Sequence, residues 1–348
     1  MPSDVELILF SLLGLGLAFC VAFACTPLVK KLAHMVGAID DPKRDADRRM
    51  HSEPIPRWGG LAIFGGFLAA VLVFGDLDRA MVSLLLGAVV MVIIGAIDDI
   101  IPLNAGLRLL VQTGAALIPV MYGGLRIEFI SNFLPFSESL YFNLGAWSYP
   151  ITVIWIVAIT NAVNFIDGLD GLTAGVMSIS SGTLCVIALL LIEPGTAIVA
   201  AAIAGGCLGF LPYNRNPAKI FMGDSGTYFL GFVVAAISVS GLFKYYTLIS
   251  FAVPFLMLGL PIFDFMFAII RRISKGQNPG KADRGHFHHR MIDMGFSQKR
   301  AVSIAYVISA LLGMAAVVLV TSGELRAMVF LLALALSAAI AIALARKM

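Results

Sequence analysis

Four short stretches of this chain concentrate residue types suited to phosphate chemistry. Asp98 and Asp99 stand side by side at the end of an apolar run, directly after Gly95-Ala96-Ile97. Adjacent carboxylates at the end of an apolar helix are costly unless a base or a metal ion offsets them, and the dipole at a helix C-terminus opposes them further. Two solvated loop aspartates would read the same way, so the pair alone leaves both readings open. The second stretch is richer: Asn161-Ala162-Val163-Asn164-Phe165-Ile166-Asp167-Gly168-Leu169-Asp170-Gly171-Leu172. Its two amides are three residues apart, as are its two acids, so each pair shares a face if the segment is helical. Gly168 and Gly171 permit close approach of a ligand to the backbone. A helix beginning at Leu172 would turn free N–H groups toward a phosphate. A plain turn explains the glycines but not two amides and two acids together.

The third stretch runs from Asn214 to Gly226 and contains Phe221-Met222-Gly223-Asp224. Asp224 at a helix start is a natural cap. A lone carboxylate between glycines equally suits Mg²⁺, which takes one or two protein carboxylates and completes its shell with substrate phosphates. The fourth is Asp283-Arg284-Gly285-His286-Phe287-His288-His289-Arg290, holding three of the five histidines. Zinc is one reading, but no cysteine is near, and the same donors suit a pyrophosphate. A fifth, basic stretch runs from Arg48 through His51 to Arg57-Trp58-Gly59-Gly60. It fits anionic lipid headgroups or a substrate.

These residues need a frame, and composition defines it. The chain has 348 residues, 59% hydrophobic and 13% charged, with mean hydropathy +0.95. Soluble domains carry about 25% charged residues, so much of the apolar surface must face lipid. No polar stretch is long enough for a separate domain, and residues 1–348 read as one integral membrane domain. An all-α, polytopic helical bundle is expected. A span needs about 20 apolar residues. Eleven candidates emerge: 5–28, 58–75, 80–97, 107–122, 151–163, 172–192, 197–212, 228–242, 248–270, 301–320 and 325–345. The fifth is short and extends naturally back through Tyr149 and Trp147. The first follows an acidic start and reads as a retained helix, not a cleaved signal. Residues 126–130 alternate and predict a strand. With the N-terminus outside, twenty Lys and Arg fall in cytoplasmic segments and four on the other side. That asymmetry fixes the C-terminus and all five stretches on the cytoplasmic face. The four cysteines lie in apolar segments without metal or redox spacing.

On the 164–172 run and Phe221-Met222-Gly223-Asp224 together, the chain resembles the polyprenyl-phosphate N-acetylhexosamine-1-phosphate transferases, from about Lys30 to Arg300. The resemblance implies an enzyme that moves N-acetylhexosamine-1-phosphate, most simply GlcNAc-1-phosphate, from a UDP-sugar to undecaprenyl phosphate. UMP is released, as a first membrane step in cell-envelope polysaccharide synthesis. It implies Mg²⁺ as cofactor, with Mn²⁺ as a substitute. Catalytic parts fall to Asp98, Asp99 and Asp167, and metal positions to Asn164 and Asp224. Substrate contacts fall to Arg108, Asn161, Gly168, Asp170, Asn214, Phe221, His286, His288, His289, Arg290 and His51. Direct attack by the acceptor phosphate with Asp98 as base is the expected mechanism; a covalent aspartyl route is its rival.

The related phospho-MurNAc-pentapeptide branch carries Lys-Gly-Thr-Pro-Thr-Met-Gly-Gly near the second span and three consecutive histidines. Here Glu53–Gly60 and His286-Phe287-His288-His289 stand instead, which favours the N-acetylhexosamine branch. The acidic pair also lacks a third nearby acid. A secondary transporter is the contrasting class; it would show internal repeats and acids near mid-membrane. No repeat is present, and Asp264 is the one acid well inside a span. The expected site is at the inner membrane. No nucleic-acid partner is expected, and a homodimer is left open.

Overall fold

The computed structural model describes residues 3–42, 53–131, 141–241, 248–276 and 286–321. These residues form mainly helices: α1 (Asp4–Val36), α2 (Gly59–Phe74), α3 (Arg79–Asp98), α4 (Ala105–Leu117, running into a π turn at Ile118–Tyr122), α5 (Ser148–Phe165), α6 (Leu172–Leu190), α7 (Pro194–Asn214), α8 (Gly223–Gly241), α9 (Leu248–Met257), α10 (Gly259–Ser274), α11 (Phe287–Asp293) and α12 (Gln298–Thr321). Two short antiparallel pairs complete the fold: β1 (Ile39–Asp40) with β2 (Ile55–Pro56), and β3 (Phe129–Ser131) with β4 (Tyr141–Asn143). The strand expected at 126–130 is thus present but begins at Phe129.

Helix ends follow local chemistry. Ser3 and Glu6 form a reciprocal capping box at the start of α1. Its apolar run ends near Leu28, yet the helix continues through Lys30 and Lys31 until Gly37 adopts a left-handed conformation with φ 77°. Asp78 and Asn104 cap α3 and α4 through the amides of Met81 and Leu107. The span expected at 248–270 is divided between α9 and α10. Pro261 has no N–H for the Met257 carbonyl, and its ring would clash there. Ser180 of α6 donates to that carbonyl at 2.7 Å instead, so the break leaves no orphan acceptor. The span expected at 325–345 lies outside the described residues, as does His51.

α8 is the axis of the bundle. Every residue from 225 to 239 is buried, and α2, α3, α5 and α7 pack around it. A helix apolar on all sides needs such a sheath. α1 instead leaves Leu9, Leu12, Leu13 and Phe19 exposed, a surface that calls for lipid. Among the described residues, seven helices are long and apolar enough to cross a membrane. The chain is a multi-pass membrane protein.

Helix contacts rely on small residues, since lipid gives helices no hydrophobic reason to associate. Gly205 and Gly209, one turn apart on α7, lie against the backbone of α1 at Leu15 and Phe19. A side chain at Gly209 would meet a carbonyl that cannot move independently of its helix. Gly209→Val is therefore expected to destabilise the protein by about 1–3 kcal/mol, seen as a lower melting temperature in detergent. Gly65, with open space around it, should accept alanine without that loss.

Candidate active site

The ends of α3, α5 and α7 and the starts of α2, α6 and α8 meet at one end of the bundle. Backbone bonds knit the meeting point: Gly59 and Gly60 donate to the carbonyls of Phe221 and Met222 at 2.9 and 2.8 Å, and Phe221 donates to Pro56 at 2.8 Å. Trp58, with φ 80°, sends its indole N–H to the Ala96 carbonyl at 3.0 Å. Phe221 enters the site through this main-chain lock.

The paired acids are buried and have different partners. Asp98 accepts from the Leu103 amide at 2.8 Å and from the Tyr228 hydroxyl at 3.0 Å, and Arg108 Nε lies 2.8 Å from its Oδ2. Asp99 accepts from the amides of Asp224 and Ser225 at 2.8 and 3.2 Å, so it serves the free N–H groups at the start of α8. Gly223, with φ 76°, has its absent Cβ aimed into this carboxylate. Arg57 stands 3.8 Å from Asp99 and is anchored by Asp40 at 2.8 Å. Burial first, and the Asp224 charge second, push the Asp99 carboxyl above its ordinary range.

Asn164, on the last turn of α5, donates to Asp224 Oδ1 at 2.7 Å and to Thr227 at 2.9 Å. The two residues expected at a metal are thereby in contact. Asp167 is the most open of the acids. Water screens part of the desolvation that raises its carboxyl up to about 6. Asp170 accepts from the Asn216 side chain and the Ala218 amide at 2.9 and 3.0 Å, tying the 166–171 turn to the loop after α7.

Two residues expected to contact substrate build walls here. Asn214 accepts from Gly171 N–H at 3.1 Å and donates to the Ile220 carbonyl at 3.0 Å, and it is buried. Asn161 donates to Gln112 of α4 and to the Val157 carbonyl at 2.7 and 2.8 Å. Both amides bond protein groups at the edge of the site.

The histidines at the start of α11 pack against the site. His288 packs directly on Gly168, where a Cβ would collide with its ring. Burial pushes the His288 imidazole down to about 3, so it is neutral at working pH. The His289 ring lies tilted against His288 with centroids 4.3 Å apart, and Arg290 lies over the Phe267 ring at 4.4 Å. Sequence reasoning missed Arg57 as a partner of the acids, along with Tyr228, Thr227 and Arg272. It noted Asp264 inside a span without finding its partner.

Fold and site define a multi-pass membrane protein that gathers acids, guanidiniums and imidazoles at one set of helix ends. This is the arrangement of an enzyme with one substrate in the bilayer. Residues 81–242 match the model of glycosyl transferase family 4. The chain is 42% identical to a probable undecaprenyl-phosphate N-acetylglucosaminyl 1-phosphate transferase of Bacillus subtilis, over 84% of this chain and 80% of that one. It is 34% identical to a decaprenyl-phosphate N-acetylglucosaminephosphotransferase of Mycobacterium tuberculosis, over 88% and 81% of the two chains. An undecaprenyl-phosphate alpha-N-acetylglucosaminyl 1-phosphate transferase of Escherichia coli is 29% identical over 81% and 77%. The chain belongs to glycosyl transferase family 4.

Gly223→Ala tests the junction of Asp99 with α8. The methyl group must displace the Asp99 carboxylate and hold a left-handed backbone. The variant is expected to lose at least about tenfold in turnover while remaining helical by circular dichroism. Full turnover would show that the junction tolerates displacement.

Proposed function

We propose that the protein transfers N-acetylglucosamine-1-phosphate from UDP-N-acetylglucosamine to undecaprenyl phosphate and releases UMP. The observation that carries this reading is the convergence of Asp98–Arg108, Asp99, Asp167 and Asp224–Asn164 at helix ends, where a lipid-borne phosphate reaches a water-borne donor. Family membership and the names of the relatives support the sugar and the acceptor. Eleven spans, an outside N-terminus and a site on the cytoplasmic face of the inner membrane complete the reading, on the strength of the basic residues that flank the site.

The acids fit Mg²⁺. Carboxylates outnumber the guanidiniums of Arg57 and Arg108 around them, and burial first, with the Asp224 charge second, makes Asp99 resist ionisation. Among the described residues, no three His, Cys, Asp or Glu side chains converge as a complete ligand set. Mg²⁺ takes one or two protein carboxylates and finishes its shell with substrate oxygens. Asp224 would hold it, with Asn164 and Asp167 beside it. Bound there, Mg²⁺ supplies positive charge to the donor pyrophosphate.

The chain's own residues do the rest. Arg108, fixed by Asp98, binds the acceptor phosphate. Phosphate monoesters lose their second proton at about pH 6, and both oxygens of Asp98 are already engaged. Asp98 therefore orients Arg108 more than it removes a proton. An acceptor oxygen attacks the sugar-bound phosphorus, the bond from that phosphorus to the bridging oxygen breaks, and UMP leaves with the electron pair. Asp99 holds the start of α8, and hence Asp224, in place.

These experiments bear on this. Radiolabel transfer with a panel of UDP-sugars should favour UDP-N-acetylglucosamine; equal use of another sugar would overturn the donor assignment. Asp224→Asn should fold yet show almost no turnover at ordinary magnesium, and chelation should silence the wild type until Mg²⁺ is returned. Near-normal activity in either case removes the metal. Enzyme given donor alone should release no burst of UMP; a burst equal to the enzyme concentration, with a trapped adduct, would establish the two-step route. For topology, cysteines at Ser297 and Ser322 should label from opposite sides of intact cells.

A further inference from the structure

Asp264 lies on α10 inside an apolar stretch and is buried. An ionisable residue in such a place has a partner and a task. Its Oδ2 is 2.9 Å from His286 Nδ1, and its Oδ1 accepts from the Phe287 amide at 2.6 Å. One carboxylate therefore holds both the side chain of His286 and the first amide of α11. On the far side of the imidazole, Arg272 Nη2 stands 3.5 Å from Nε2. Arg272 is itself buried, with its guanidinium 5.6 Å over the Phe165 ring, and the same ring meets His286 edge-on at 5.4 Å.

These partners assign the tautomer. A carboxylate only accepts, so Nδ1 carries the proton. Nε2 is then an acceptor, facing a guanidinium that only donates. His286 and His288 lie parallel, with centroids 5.8 Å apart, and His288 rests on Gly168 beside Asp167. An unbroken line of contacts thus runs from Asp264 to the acidic turn.

We propose that Asp264 is a positioning residue: it fixes the tautomer and orientation of His286 and the start of α11, and so seats His288 against the Asp167–Gly168 turn. His286 is the middle of a clamp between Asp264 and Arg272, and His288 is the ring that meets the reacting end. The proposal rests on the transfer reaction read above.

The test uses the full chain in detergent with Mg²⁺. Asp264→Asn keeps the shape but turns an amide N–H or a weaker acceptor toward His286. It should lose about 10- to 100-fold in kcat, the range for partners that orient a working imidazole. The KM for undecaprenyl phosphate should stay unchanged. His286→Ala should lose a similar amount, and the double variant no more than either single one, because both changes break the same unit. Asp264→Glu should recover part of the loss. Hydrogen exchange of the 286–293 backbone should quicken in Asp264→Asn. An undiminished kcat, losses that multiply in the double variant, or unchanged exchange at 286–293 overturns the proposal. So does a loss matched by an equal fall in folded protein. If Asp264→Asn does not fold, His286→Ala decides alone: full kcat overturns the clamp. A wild type inactive with every UDP-sugar sinks the transfer reading, while exchange at 286–293 still reports whether Asp264 holds that segment.

Discussion

The bond between the Asp99 carboxylate and the first amides of α8 is the constraint on which the site depends. A helix start buried in the middle of a bundle has N–H groups that water cannot reach, and leaving them unmet is expensive. Asp99 meets two of them across 125 positions of sequence. In doing so it brings the end of α3 to the start of α8, and Asp98 and Asp224 come together as a result. Gly223 gives the carboxylate room. The crowd of acids is the outcome of satisfying a helix end, and its excess negative charge is what makes the place useful to a cation and a phosphate.

A second layer of contacts holds the loops around that centre. Asn214, Asn161 and Asp170 bind backbone or neighbouring side chains. Tyr306 of α12 reaches the Gly171 carbonyl at 2.6 Å. The 166–171 turn is thus pinned from α7 and α12, and His288 rests against its glycine. Asp167 projects from this turn beside Thr173, with which it shares a hydrogen bond, and it is the acid most open to solvent. Rigid supports and one accessible carboxylate divide the labour between holding and contacting.

Much of this was legible in the sequence. Apolar runs located most helices because a membrane span has a length and composition that few other segments share. The polar clusters stood out against a background with little charge. The division of α9 from α10 was harder, although Pro261 marked it, because an apolar run across a proline reads equally as a kinked helix. The protein partners of Asn161 and Asn214 could not be seen. An amide that binds substrate and one that binds a distant carbonyl have the same local sequence. Arg57 looked like one more basic residue near lipid headgroups until Asp40 and Asp99 were found beside it. Asp264 was conspicuous as an acid in an apolar helix, but its partner lies 22 residues on, beyond any local pattern.

The buried axis has a consequence for how the protein is made. α2, α3, α5 and α7, the helices that enclose α8, all precede it in the chain. When α8 leaves the ribosome its enclosure has already been synthesised, so it can pass from the insertion machinery into a waiting slot. α10 and α11 emerge afterwards and bring the histidines. The order of translation therefore supplies the acidic part of the site before its histidines, and a chain arrested before α10 would hold the carboxylates together while lacking the imidazoles that pack against them.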